Sequence, residues 1–237
     1  MKICTFLIGL SFFISACNKD KKASCLLIQM KTSSGPNSYS INYEYDDQRR
    51  IKRSTDDQGI TEYQYFKDSV VRIKPYSRTV YYLNSAGLAD SSKERFTNSN
   101  PNQLAFDSRY TYNAEGYLIE HREIFSQFYS GSIHKDTSYR LLTISNGNII
   151  KERYSNSLDE LNYEYSSYKL ENYLTSDGTY PFLGKSSKNL VSKSTIQNGT
   201  ESITYTYKFD LHGNVTSVSK QWKTLGTTIK NFTYSCN

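Results

Sequence analysis

The residues most able to do chemistry are few. Three histidines, His121, His134 and His212, have no metal-ligand spacing, and His212-Gly213-Asn214 reads as a hairpin turn. In "EHRE" (120–123), Glu120 and Glu123 fall on opposite faces of an extended strand, so they do not act as a simple pair. Asp46-Asp47 and Asp56-Asp57 lack the ligand spacing of a calcium loop and sit in predicted turns, where aspartate caps its own backbone. There is no Gly-x-Ser-x-Gly elbow and no phosphate-cradling glycine loop. The expectation is no metal, no cofactor and no enzymatic activity. The alternative is a polysaccharide-acting enzyme whose carboxylates come from distant positions.

The cysteines carry more information. The chain opens "MKICTFLIGLSFFISACNKDKK": Lys2 is a positive start, Ile3 to Ile14 is an apolar run too short for a permanent span, and Ile14-Ser15-Ala16-Cys17 resembles a bacterial lipobox. That resemblance implies a leader at 1–16, lipidation (palmitate-type acylation) of Cys17 as the new N-terminus, and a polar tether over 17–24. Several acyl chains on one residue anchor firmly. Cys4 leaves with the leader, so Cys25 and Cys236 remain, one opening and one closing the domain 25–237. In an exported protein this predicts a disulfide between them, the alternative being two free buried thiols. A loop of about 210 residues closed this way is worth at most about 5 kcal/mol. The bond requires the first and last strands to be neighbours.

The elements that position these residues are strands. After Cys25 no long window repeats at helical spacing. Tyr, Ile, Val, Thr and Ser alternate, and Asn-Gly, Asp-Gly, Gln-Gly and His-Gly pairs punctuate them. "SINYEYDDQRRIKRS" has relatives along most of the chain, the clearest being "SITYTYKFDLHGNVTSVSKQW". Each unit is a strand with Tyr-x-Tyr, a polar turn and a return strand. The spacing predicts an all-β antiparallel meander of about 14 to 17 strands, coiled into a barrel or half-barrel. Each strand has one apolar face and one wet face, so Tyr43 and Tyr45 are expected to be scaffold. The 22 tyrosines also suit sugar or peptide recognition.

The rhythm fails at 139–145 ("YRLLTIS") and in two irregular stretches, 97–103 and 175–187. The second stretch holds Tyr180-Pro181-Phe182, expected to plug an open end of the barrel. Tyr180 and Phe182 are also the candidate ligand contacts. The formal charge of +6 is scattered, which predicts no nucleic-acid partner.

Tyr43-Glu44-Tyr45-Asp46 to Ile51, Tyr110-Thr111-Tyr112-Asn113 to Leu118, and Tyr205-Thr206-Tyr207 to Val215 resemble the tyrosine-aspartate repeats of Rhs-type shell proteins. With the lipobox and the cysteine at the first strand, the whole pattern resembles a family of bacterial lipoproteins of unknown function with a porin-like fold. The resemblance implies a large meander barrel and no particular activity. The resulting expectation is a monomeric cell-envelope lipoprotein of the outer membrane, facing the periplasm or the cell surface. It would act as a scaffold or as a binding module for a glycan or peptide. Charged strands and the ending "TYSCN" argue against a barrel that spans the membrane.

Overall fold

Alternation with a period of two puts the tyrosines of each Tyr-x-Tyr segment on one face of an extended strand. The computed structural model describes residues 25–97, 104–129, 132–155, 160–169, 180–196 and 201–236. The leader 1–16, Cys17 and the tether 17–24 lie outside the described residues, as do 98–103 and 175–179 of the two irregular stretches. The strands are β1 (Cys25–Ser34), β2 (Asn37–Tyr45), β3 (Ile51–Asp56), β4 (Gly59–Tyr65), β5 (Ser69–Lys74), β6 (Ser77–Leu83), β7 (Ala89–Phe96) and β8 (Leu104–Tyr112). They continue as β9 (Leu118–Tyr129), β10 (Ser132–Ser145), β11 (Asn148–Tyr154), β12 (Glu160–Lys169), β13 (Asn189–Ile196), β14 (Ser202–Phe209), β15 (Val215–Trp222) and β16 (Gly226–Cys236). Between β12 and β13 lies one 3-10 turn, Pro181–Leu183.

Every strand pairs antiparallel with its sequence neighbours, and β1 pairs with β16, so the meander closes into a barrel rather than a half-barrel. Closure removes both sheet edges. The β1/β16 seam begins at Cys25 opposite Cys236, which form a disulfide with their Cα atoms 4.0 Å apart. Because the strands alternate in direction, the turns after even-numbered strands share one rim with the disulfide. The turns after odd-numbered strands form the far rim.

Four turns on the disulfide rim are copies of one design. The side chains of Asp46, Asn84, Asn113 and Asp210 each accept the backbone N–H groups two and four residues on. The fourth residue of each turn has a positive φ. It is glycine at Gly87, Gly116 and Gly213, but Arg49 (φ 63°) in the first copy.

Each of these turns also leaves a β-bulge behind it, and the tyrosines deal with the consequence. A bulge leaves an extra residue outside the regular ladder. Carbonyls at six bulges accept a tyrosine hydroxyl from a neighbouring strand: Tyr45 to Leu27, Tyr65 to Ile51, Tyr112 to Ala89, Tyr165 to Ile149, Tyr207 to Val191 and Tyr234 to Val215. In five of them the donor is the second tyrosine of a Tyr-x-Tyr pair; in β16 the pair reads Phe232-Thr233-Tyr234. β6 and β10 carry Leu83 and Ile144 at the equivalent place, which is why "YRLLTIS" breaks the rhythm while still forming a strand.

The expectation of one apolar face holds only for part of the wall. Around the seam, Leu27, Met30, Leu190, Val215, Val218 and Phe232 form a buried cluster that Tyr43, Tyr205 and Tyr207 pack against. On β5 to β12 the inner positions include Arg72, Glu94, Arg140 and Glu152. The reason is size: sixteen strands enclose more space than apolar side chains fill, and what remains is polar.

Candidate functional site

The segment entering β13 turns into the barrel instead of bridging its rim. Tyr180 hydrogen-bonds through its hydroxyl to Tyr63 on β4, with ring centroids 5.1 Å apart. Phe182 is 5% exposed, lies 4.9 Å from the Tyr81 ring and packs with Val70 and Ala89. These partners stand on β4 to β7, across the barrel from β12 and β13. Backbone bonds fasten the segment to two turns: Lys185 N–H to Gly116 O (2.9 Å) and Lys188 N–H to Gly147 O (2.8 Å). Gly184 makes this approach possible. Its φ is +98°, and a Cβ there would come within 2.8 Å of the Tyr112 ring and 3.1 Å of the Gly116 carbonyl oxygen. Tyr180 and Phe182 thus sit inside the barrel at its disulfide end, packed against the wall.

Beyond this plug the inner wall carries two ion-pair clusters. The Arg72 guanidinium donates to Thr79 Oγ1 (3.0 Å) and Glu94 Oε2 (3.3 Å), and Ser77 donates to Glu94 Oε1 (2.7 Å). Arg140 Nε meets Glu152 Oε1 at 2.6 Å, and the Tyr154 and Tyr163 hydroxyls also donate to Glu152. Burial raises the Glu152 pKa, but the Arg140 hydrogen bond and charge outweigh it and hold the carboxyl below its ordinary range. Between the clusters, His121 stacks on Tyr110 at 4.8 Å. Burial first and Arg140 second push its pKa down, and its Nε2 has no hydrogen-bond partner among the described residues. His121 is therefore an inner-wall residue. His212 does sit in a turn, and His134 lies beside the β9–β10 hairpin, 3.1 Å from Ser132 Oγ. Among the described residues no three His, Cys, Asp or Glu side chains gather around a metal position.

On β7 to β9 the inner residues towards the far rim are phenylalanines. Phe96, Phe106 and Phe125 stand on β7, β8 and β9 with ring centroids 5.9 and 4.9 Å apart. They border a cavity of about 530 Å³ lined by Phe106, Phe125, Asp136, Thr137 and Ser138. Glu123 pairs with Ser138 across the β9/β10 ladder, one inner position deeper than Asp136 opposite Phe125. Burial and the nearby Glu94 charge raise the Glu123 pKa. The sequence had little to mark this group. Its one signal is the set of phenylalanines Phe96, Phe106 and Phe125, which alternation assigns to the inner face.

Charges on the outer face are paired along the sheet. Arg53 reaches Glu44 (3.8 Å) and Glu62 (3.0 Å) across β2, β3 and β4, and Arg95 meets Asp107 at 2.9 Å. Lys151 meets Glu160 at 2.8 Å, and Lys193 meets Glu164 at 3.5 Å. Such exposed pairs stabilise little.

No family model matches the chain, and no curated protein matches it. Solved structures do. A porin-like protein from Bacteroides uniformis ATCC 8492 superposes with a TM-score of 0.66 at 17% identity, covering 87% of this chain and 96% of its own. A porin-like protein from Bacteroides vulgatus ATCC 8482 gives 0.64 at 13% identity, covering 88% and 98%. At these identities the likeness is one of fold.

Proposed function

We propose that the chain is a lipid-anchored barrel of the bacterial cell envelope, attached to the outer membrane through Cys17, that binds a small polar ligand or chain end in its lumen. The observation that carries this reading is the asymmetry of the interior. At the disulfide end, which the anchor would hold toward the membrane, Tyr180 and Phe182 are packed inside the barrel against β4 to β7, while the far end keeps a cavity of about 530 Å³. That volume is within the ordinary range of ligand sites. The charged pairs on the outer wall support a barrel standing in water, since a membrane barrel needs a continuous apolar band. The porin-like shape of the two structural neighbours fits an envelope setting.

Metabolic labelling with a palmitate analogue, followed by membrane fractionation, tests the anchor: Cys17→Ser should abolish both label and membrane association. A ligand screen by thermal shift, with envelope sugars and peptides as probes, tests the lumen. Absence of any shift leaves a scaffold. One observation favours a second reading, a polysaccharide-acting enzyme. Glu123 and Asp136 occupy diagonal inner positions on β9 and β10, which sheet geometry places about 7 Å apart at Cα. The carboxyl with the raised pKa would be the acid. Release of sugar from an oligosaccharide pool, lost in Glu123→Gln, would establish that reading.

A further inference from the structure

We infer that the far-rim cavity recognises a small organic cation, an ammonium-bearing molecule held by Asp136 and by the rings of Phe106 and Phe125. The inference rests on the binding-module reading and names the ligand class.

The argument is one of charge left over. The inner arginines nearest the site are committed: Arg72 to Glu94 and Thr79, and Arg140 to Glu152. Their carboxylate partners are neutralised with them. Among the described residues, Asp136 and Glu123 have no ion-pair partner and no lysine or arginine lines the cavity. The site therefore joins uncompensated negative charge to a row of aromatic rings. An ammonium group satisfies both, by ion pairing and by attraction to the ring faces, and its alkyl groups cover apolar surface. A neutral sugar would satisfy the hydroxyl-bonding capacity of Asp136 but not the charge. A bare metal ion would be short of ligands, since among the described residues no third His, Cys, Asp or Glu side chain joins the two carboxylates. Volume agrees, because about 530 Å³ holds an organic molecule rather than an ion. Asp136 is exposed at the mouth, so the attraction is screened and affinity should be modest.

The test uses the full chain in a non-ionic detergent. Choline is titrated calorimetrically beside its neutral isostere 3,3-dimethylbutan-1-ol, with maltotriose as a sugar probe. Choline should bind saturably, and the isostere should bind at least about tenfold more weakly. Asp136→Asn, which keeps shape and removes charge, should weaken choline binding by about tenfold. Phe125→Leu should weaken it while leaving the melting curve two-state. Equal binding of choline and its isostere overturns the inference, as does an unchanged choline affinity in Asp136→Asn. Maltotriose binding without choline binding overturns the cation and leaves the binding module standing. If no probe binds, both readings fall and the scaffold remains.

Discussion

A tyrosine hydroxyl that meets a bulge carbonyl joins a burial problem to a hydrogen-bonding problem. The ring covers apolar wall and the oxygen serves a carbonyl that the distorted ladder would otherwise leave short of a donor. Tyr207→Phe keeps the ring and removes the bond to Val191, which measures 2.8 Å. It should lower stability by about 1–2 kcal/mol in urea unfolding, whereas Tyr76→Phe, at an exposed far-rim turn, should change nothing measurable. Arg49 tells the opposite story. It holds a left-handed conformation that three sister turns give to glycine, so Arg49→Gly should raise stability by about 1 kcal/mol in the same assay. The turns were legible in the sequence as polar or glycine-bearing breaks between alternating runs, three of them with Asp or Asn followed three residues later by glycine and the first with Arg49 in that place. The hydroxyl bonds were not, since they depend on where the partner strand bulges, and that is fixed only once the strands pair.

At the scale of elements, the strands and the plug differ in how far the sequence reaches. β14 could be read in part. Alternation assigns Ile203, Tyr205, Tyr207 and Phe209 to one face, and Tyr205 and Tyr207 do pack against the core, but the register shifts between Lys208 and Phe209 and Phe209 is exposed beside Tyr168. Tyr180-Pro181-Phe182 could be read as an apolar intruder in a polar stretch, but not its docking place, which lies across the lumen on β4 to β7. The same limit hid the inner charges. Alternation assigns Arg72 and Glu94 to the inner face, but only the registers of β5, β6 and β7 bring them within 3.3 Å. Phe182→Ala should cost about 3–5 kcal/mol, because it empties a site enclosed by Tyr81, Val70 and Ala89. If the segment only rested on the rim, the loss would stay near zero. Native-state hydrogen exchange at Lys185 and Lys188, whose amides bond Gly116 and Gly147, reports the same docking.

For the molecule as a whole, the many buried tyrosines make stability depend on alkaline pH. Burial pushes Tyr45 and Tyr65 up to about 12, with the charges of Arg49 and Arg50 opposing it. An unfolded tyrosine ionises near 10, at about the ordinary value. The fold thus favours the neutral form. Its contribution is complete below pH about 10 and is lost as pH rises from about 10 to 12, where the unfolded chain ionises first. Melting temperature should fall steeply across that window, in step with tyrosinate absorbance, and Tyr45→Phe with Tyr65→Phe should blunt the fall. A flat profile would mean these hydroxyls remain open to water.

The bond between Cys25 and Cys236 also governs how the barrel bears tension. A pull on the chain ahead of Cys25 loads β1 at its first residue, which is the end of the β1/β16 ladder. Were the cysteines reduced, that load would fall on one hydrogen-bonded pair at a time and the seam would peel open like a zip. Bonded, Cys25 passes the force straight into β16. To yield, the wall must then lose β1 from β2 and β16 from β15 together. Single-molecule pulling from the N-terminal side should therefore find the reduced barrel opening at a markedly lower force than the oxidised one.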